Sequence, residues 1–311
     1  MSLLGRSLLD IQVLTEPDVY SLFETAKRVR HLHQTSKIDF GSLLKSNAHK
    51  YIALVFLEPS TRTRASFEVA AYKLGTQVLC PEFGGSSSMA KGESLVDTVK
   101  TIAAMDPDLM VVRYGEDQEL DGYLKNSDIP VINAGSGISA HPTQALLDAF
   151  TVFESLESVR DQKVLIVGDI KHSRVARSNI KLLSLLGAQV GICGPDEYIP
   201  NDITGITRFT LSEGIDWASV IMTLRIQLER HGSVPQQGKY SAQSYHLEFG
   251  ITRERLKKFG AGILLHPGPI NQGVELAQDV LKDPRCRVLT QVKNGVYIRA
   301  AVLSQILGIK V

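Results

Sequence analysis

Cysteine is nearly absent from this 311-residue chain: Cys80, Cys193 and Cys286 are odd in number, far apart and outside any CxxC spacing. This argues against both a disulfide framework and a zinc site, and a reducing cytoplasm is the expected location. Charge of one sign is also lacking, since 34 basic residues face 33 acidic ones and the net charge is +1. No basic block marks a nucleic-acid or anionic-membrane partner. No apolar run approaches the roughly 20 residues needed to span a bilayer. The start MSLLGRSLLD has no apolar core behind basic residues, so no targeting segment is expected. No serine, cysteine or threonine has an obvious base at motif spacing, and no pair of histidines or carboxylates suggests a metal. The candidate functional groups that remain are hydrogen-bond donors, not nucleophiles.

A chain of 311 residues exceeds the size at which one core usually stops growing, which predicts two domains. Apolar runs at 51–57, 109–112, 129–133, 163–168, 188–193, 218–223 and 261–265 alternate with helical patterns. That alternation predicts two consecutive parallel-sheet α/β domains. The second opens with a strand, the turn GDIKHS, a helix from about Arg174 to Leu186, and another strand. The turn lacks the second and third glycines of a dinucleotide fingerprint, which argues against a nicotinamide cofactor. In HPTQALLDAFTVFESL, the residues Leu146, Ala149, Phe150 and Phe153 share one helical face, as expected of a helix joining the two domains. The tail NGVYIRAAVLSQILGIKV reads as a final amphipathic helix.

The stretch FLEPSTRTRASFEVAAYKLG, residues 56–75, ends one apolar run and begins a helix. Phe67, Ala70, Ala71 and Leu74 form its apolar face, and Gly75 stands where a left-handed cap is expected. STRTR therefore opens a helix at the carboxyl end of a strand, where unpaired backbone N–H groups and the helix dipole favour an anion. Ser60, Thr61 and Thr63 add hydroxyl donors, and Arg62 adds a planar fork suited to phosphate. The plainer alternative is ordinary helix capping by Ser60 or Thr61, but capping needs one hydroxyl and no arginine.

Four further segments place polar groups just beyond strand ends, where open α/β sheets bind ligands. They are Arg113 after DLMVV, HPTQ at 141–144, Arg225 with Gln227 in IMTLRIQ, and HPGP at 266–269. Each alone has a plain reading: His141 as a capping or core histidine, Arg113 as a surface ion pair, the two prolines as turn formers. The polar loop GGSSSMAKGES, 84–94, carries Ser87 and Lys91 and reads either as a solvent-exposed connection or as a lid that brings an ammonium to an anion. Such a donor set favours an enzyme that binds an anionic, carbonyl-bearing substrate and stabilises charge while a second substrate attacks.

Taken together and in order, FLEPSTRTR, KGES, NAGSGISAHPTQALLD, VGDIKHSR, TLRIQLER and HPGPINQGVE resemble the aspartate carbamoyltransferases, over residues 8 to 308. The resemblance implies transfer of a carbamoyl group from carbamoyl phosphate to the amine of L-aspartate, the committed step of de novo pyrimidine biosynthesis, with no cofactor and no metal. It implies a carbamoyl-phosphate-binding domain over residues 1–141 and 290–311, closed by the returning C-terminal helix, and an aspartate-binding domain over 142–289, with a cleft between them.

Residue by residue, the resemblance assigns the phosphate to Ser60, Thr61, Arg62 and Thr63. Thr63, Arg113 and His141 would meet the carbonyl oxygen; Gln144 and the backbone around Pro267 and Gly268 would take the carbamoyl NH2. Arg174 and Arg225 would hold the two aspartate carboxylates with Gln227 in support, while Ser87 and Lys91 would arrive from a neighbouring subunit of a homotrimer. Regulatory chains or a dihydroorotase are further partners the family admits. One departure stands out: a leucine is frequent in the family where this chain has Gly268, which keeps a backbone contact and predicts a more flexible loop.

Two relatives and one unrelated class compete. Ornithine carbamoyltransferases share STRTR and HPTQ but carry HCLP and SMG segments, whereas Arg225 and Gln227 suit a second carboxylate. A non-catalytic scaffold paralogue would be marked by loss of Arg62, Lys91 or Arg113, all present here. A dinucleotide-dependent dehydrogenase would bind NAD.

Overall fold

The computed structural model describes residues 3–35, 37–83, 92–137, 140–226 and 240–311. The chain divides into two compact units, Met1–Leu147 with Val292–Val311, and Asp148–Gln291. Each unit is a parallel sheet dressed with helices, as the alternation of apolar runs predicts.

The first unit holds β1 (Tyr51–Phe56), β2 (Gln77–Leu79), β3 (Leu109–Tyr114) and β4 (Val131–Ser136), in the spatial order β2-β1-β3-β4, all parallel. Its helices are α1 (Glu16–Thr35), α2 (Lys37–Ser46), α3 (Thr61–Leu74), α4 (Leu95–Ala103), α5 (Gln118–Lys125) and the start of α6 (Pro142–Leu156). Every residue of β3 and β4 is buried, and so are the four central residues of β1. Strands covered on both faces are apolar over most of their length, which is why they appear in sequence as runs rather than alternations; buried polar residues interrupt them at Arg113 in β3 and at Asn133 and Ser136 in β4.

The second unit holds β5 (Lys163–Val167), β6 (Gln189–Cys193), β7 (Thr207–Arg208), β8 (Val220–Thr223) and β9 (Ile263–Leu265), in the order β7-β6-β5-β8-β9. Its helices are α7 (Arg174–Leu185), α8 (Leu211–Trp217), α9 (Ala242–Phe249) and α10 (Arg253–Lys258). The last helix, α11 (Val288–Leu307), begins in this unit and ends in the first. Among the described residues no helix is long and apolar enough to cross a membrane.

Two strands escape the sequence reading, β2 and β7. Each is an edge strand, of three and two residues, and both residues of β7 are exposed. Segments so short carry no periodicity, and their existence depends on the neighbour they pair with.

Local chemistry accounts for the helix that matters most. The face Phe67, Ala70, Ala71 and Leu74 of α3 is fully buried. Gly75 ends the helix at φ 77°, its N–H returning to the carbonyls of Ala71 and Tyr72. A Cβ there would lie 2.4 Å from the Leu44 backbone, so both the left-handed turn and the close approach of α2 require glycine. In α6 the expected apolar face is also buried at Leu146, Ala149 and Phe150, with Phe153 half-buried.

Candidate active site

Because β1, β3 and β4 are adjacent and parallel, their carboxyl ends lie side by side, and each delivers one predicted segment. Beyond β1, Leu57, Glu58 and Pro59 lead into Ser60, the cap residue of α3, with Thr61 and Arg62 exposed and Thr63 buried. The Ser60 hydroxyl makes no capping hydrogen bond to the helix. The first turn of α3 holds no acidic residue, although the helix dipole rewards carboxylates there and disfavours Arg62 and Arg64. A turn built against its own helix electrostatics, with a cap hydroxyl not spent on capping, suits an external anion.

Beyond β3, Arg113 is buried at the point where the pairing of β3 with β4 shifts register, between Val112 and Tyr114. Its guanidinium donates to Glu58 Oε1 at 3.1 Å and to the Ala134 carbonyl at 3.2 Å. Arg113 also pairs with Phe56 in the sheet register, and its carbonyl accepts the N–H groups of Leu57 and Glu58. The guanidinium of β3 is thereby tied to the segment that leads into STRTR. Next to it, burial and a hydrogen bond to Asp121 push the Tyr114 phenol above its ordinary range, so it stays a neutral donor. Beyond β4, His141 and Gln144 are buried at the start of α6, where the His141 carbonyl accepts from the N–H groups of Gln144 and Ala145.

The second unit repeats the arrangement with β5, β8 and β9. After β5, Ser173 caps α7 by accepting from Ala176 N–H, and Arg174 is the first helical residue, again with no acidic residue in that turn. After β8 come Leu224, the half-buried Arg225 and the buried Ile226. After β9 the chain enters the predicted HPGP turn, in which the Gly268 N–H donates to His266 Nδ1 at 2.8 Å and Gly268 adopts φ 68°. The turn that Gly268 was expected to loosen is tied back to its own histidine. The Gly268–Pro269 peptide is cis.

Three residues the sequence reading passed over support these positions. Glu58 holds Arg113. Glu275, buried, accepts the Ile226 N–H at 2.9 Å and the Asn271 N–H at 2.8 Å, while the Asn271 side chain donates to the Ile226 carbonyl at 2.9 Å. The residue after Arg225 is thus clamped on both sides by the segment that follows HPGP. Asp169, buried in the GDIKHS turn, accepts the His172 N–H at 3.1 Å and faces its ring nitrogen at 3.0 Å. All three lie inside quoted motifs, Glu58 in FLEPSTRTR, Asp169 in VGDIKHSR and Glu275 in HPGPINQGVE, but nothing in those motifs told which partner each carboxylate meets.

Burial raises all three cysteine thiols above their ordinary range, Cys193 to about 12, so none is an activated nucleophile. Among the described residues no group of three or more His, Cys, Asp or Glu could hold a metal ion. Ser87, Lys91 and Gln227 lie outside the described residues.

Residues 6–154 match the family described as "Aspartate/ornithine carbamoyltransferase, carbamoyl-P binding domain", and residues 160–306 match its "Asp/Orn binding domain". The chain is 42% identical to the aspartate carbamoyltransferase catalytic subunit of Aliarcobacter butzleri over 94% of its own length and 95% of the relative's. It is 38% identical to the corresponding subunit of Listeria welshimeri, covering 97% of this chain and 96% of that one. In structure it resembles aspartate transcarbamoylase from Trypanosoma cruzi in complex with carbamoyl phosphate and aspartate, with a TM-score of 0.83, 28% identity and 98% of each chain covered. With both halves matched in order over nearly the whole length, the chain belongs to the aspartate/ornithine carbamoyltransferase family.

Proposed function

We propose that this chain is an aspartate carbamoyltransferase, transferring the carbamoyl group of carbamoyl phosphate to the amine of L-aspartate and releasing phosphate. The observation that carries the reading is the pair of helix first turns, on α3 and α7, that hold arginine and no carboxylate at the carboxyl ends of parallel strands. The relatives named for this activity, at about 40% identity, support it.

Ser60, Thr61, Arg62 and Thr63 hold the phosphate. The aspartate nitrogen attacks the carbamoyl carbon, and the developing oxyanion is met by Thr63, Arg113 and His141. Gln144 and the carbonyls near Pro267 and Gly268 orient the carbamoyl NH2. When the tetrahedral intermediate collapses, the carbon–oxygen bond to phosphate breaks and the phosphate leaves with its bridging oxygen and accepts the proton from nitrogen. No side-chain base is needed, in keeping with a site made of donors. Arg174 and Arg225, with Gln227, hold the aspartate carboxylates. Lys91 and Ser87 act from the neighbouring subunit of a homotrimer, and the enzyme works in the cytoplasm in pyrimidine synthesis.

The test is a substrate comparison: with carbamoyl phosphate present, L-aspartate is carbamoylated and L-ornithine is not. Arg225→Ala lowers kcat/KM for aspartate by roughly 2–5 kcal/mol of transition-state binding, the size seen when a buried charge loses its partner. Comparable turnover of ornithine would contradict the assignment.

A further inference from the structure

A buried chain of hydrogen bonds in the second unit runs through residues that the reaction described above does not use. The His266 N–H donates to Gln291 Oε1 at 2.9 Å; Gln291 Nε2 donates to Asp148 Oδ1 at 2.8 Å; Asn179 Nδ2 donates to Asp148 Oδ2 at 2.9 Å. His266, Gln291, Asp148 and Asn179 are all buried, Asp148 and Asn179 completely. The directions are dictated by chemistry. A backbone N–H can only donate, so the Gln291 oxygen must face His266, and its NH2 must then face a carboxylate that can only accept.

Each end of this chain of bonds reaches a predicted substrate contact. His266 opens the HPGP turn, and its ring accepts the Gly268 N–H, so the height of the turn is set through His266. Asn179 lies on α7, whose first residue is Arg174, and also donates to the Val175 carbonyl at 3.0 Å. Asp148 lies on α6 one turn after Gln144, on the face shared by positions i and i+4. One carboxylate thus ties three segments together: the α6 helix that starts with HPTQ, the α7 helix that starts with Arg174, and, through Gln291 of α11, the HPGP turn.

We propose that Asp148 and Gln291 are positioning residues for carbamoyl transfer, holding the His266–Gly268 turn in the register at which its backbone meets the carbamoyl NH2. This rests on the assignment of that turn to the carbamoyl group. A carbonyl acceptor displaced by an ångström loses most of its orienting value, whereas a purely structural bond affects stability alone.

The test exchanges the two side chains. Gln291→Glu keeps an acceptor for His266 N–H but sets a second buried carboxylate against Asp148. It should raise the KM for carbamoyl phosphate and lower kcat, together by roughly tenfold to a hundredfold in kcat/KM. The inhibition constant of inorganic phosphate, which does not meet the turn, should move less than about twofold. Asp148→Asn combined with Gln291→Glu preserves each of the three bonds that link His266, Gln291, Asp148 and Asn179. The amide introduced at position 148 donates to the carboxylate introduced at position 291 and accepts from Asn179, while that carboxylate still accepts the His266 N–H. This exchanged chain should recover kcat/KM to within about threefold of the parent. If Gln291→Glu does not fold, Asp148→Asn alone is compared with the exchanged chain, and recovery on adding the second change is again expected. The proposal is overturned if Gln291→Glu lowers the melting temperature while kcat and both KM values stay at parent values. It is equally overturned if the exchanged chain regains the parent melting temperature but not its kcat/KM. Arg62→Ala tests the underlying site reading separately: an unchanged KM for carbamoyl phosphate in that variant overturns the reading itself.

Discussion

The guanidinium of Arg113 sits 3.1 Å from the carboxylate of Glu58, and the two side chains are 10% and 29% exposed. Fifty-five residues apart in sequence, they join the end of β3 to the approach to α3. Together with the bond from the other terminal nitrogen to the Ala134 carbonyl, the pair restricts the orientation of the guanidinium. In the proposed reaction that orientation aims the arginine at the carbonyl oxygen.

Glu58→Gln therefore keeps one neutral acceptor and removes the charge. It should destabilise the fold by about 1 kcal/mol and lower kcat by roughly tenfold, the loss expected when a charge-assisted hydrogen bond becomes a neutral one. Thermal melting and steady-state kinetics check both parts, and a melting shift with unaltered kcat would leave Glu58 a structural residue only.

Ser60 offers a cleaner separation. Its hydroxyl does not bond to the helix it precedes, so Ser60→Ala should cost α3 well under the ~1 kcal/mol usual for a cap. The KM for carbamoyl phosphate should nevertheless rise severalfold. A large melting shift with unchanged KM would restore Ser60 to ordinary capping.

Of the second unit's carboxyls with a lowered pKa, Asp283 carries the large shift. Hydrogen bonds from Arg285 hold the Asp283 carboxyl down from its ordinary 3.8 to about 2. A depressed carboxyl stabilises the fold above its unfolded value, and that stability is lost as the pH falls through the folded value. Asp283→Asn should thus melt below the parent at neutral pH, and the gap should close between about pH 4 and pH 2. A gap independent of pH would mean that the carboxylate charge contributes nothing.

The proposed neighbouring-subunit role of Lys91 is open to complementation. Arg62→Ala and Lys91→Ala should each be nearly inactive, yet any three-membered ring containing both kinds of chain has one position where an intact Arg62 meets an intact neighbouring Lys91. After dissociation and random equal reassembly, about three quarters of rings are hybrid with one site in three restored, so activity should return to about a quarter of the parent. Hybrids shown to form but lacking activity would place Lys91 in its own chain's site.

The sequence by itself determined the features that are local. Strand runs such as 51–57 and 163–168 were visible because buried parallel strands are apolar over most of their length. The start of α3 at STRTR and of α7 at Arg174 followed from periodicity and end signals within a few residues. Only the tertiary structure decided what depends on distant partners. It made strands of β2 and β7, which exist through pairing alone, and placed the register shift at Arg113. It left the Ser60 hydroxyl out of the cap, which no motif could reveal. It brought Glu58 to Arg113, Glu275 to Ile226 and Gln291 to Asp148, the last pair 143 residues apart. A hydrogen bond between side chains so far apart leaves no period or spacing in one sequence, since the chain length between them sets only the entropy of closing the loop and not which residues meet.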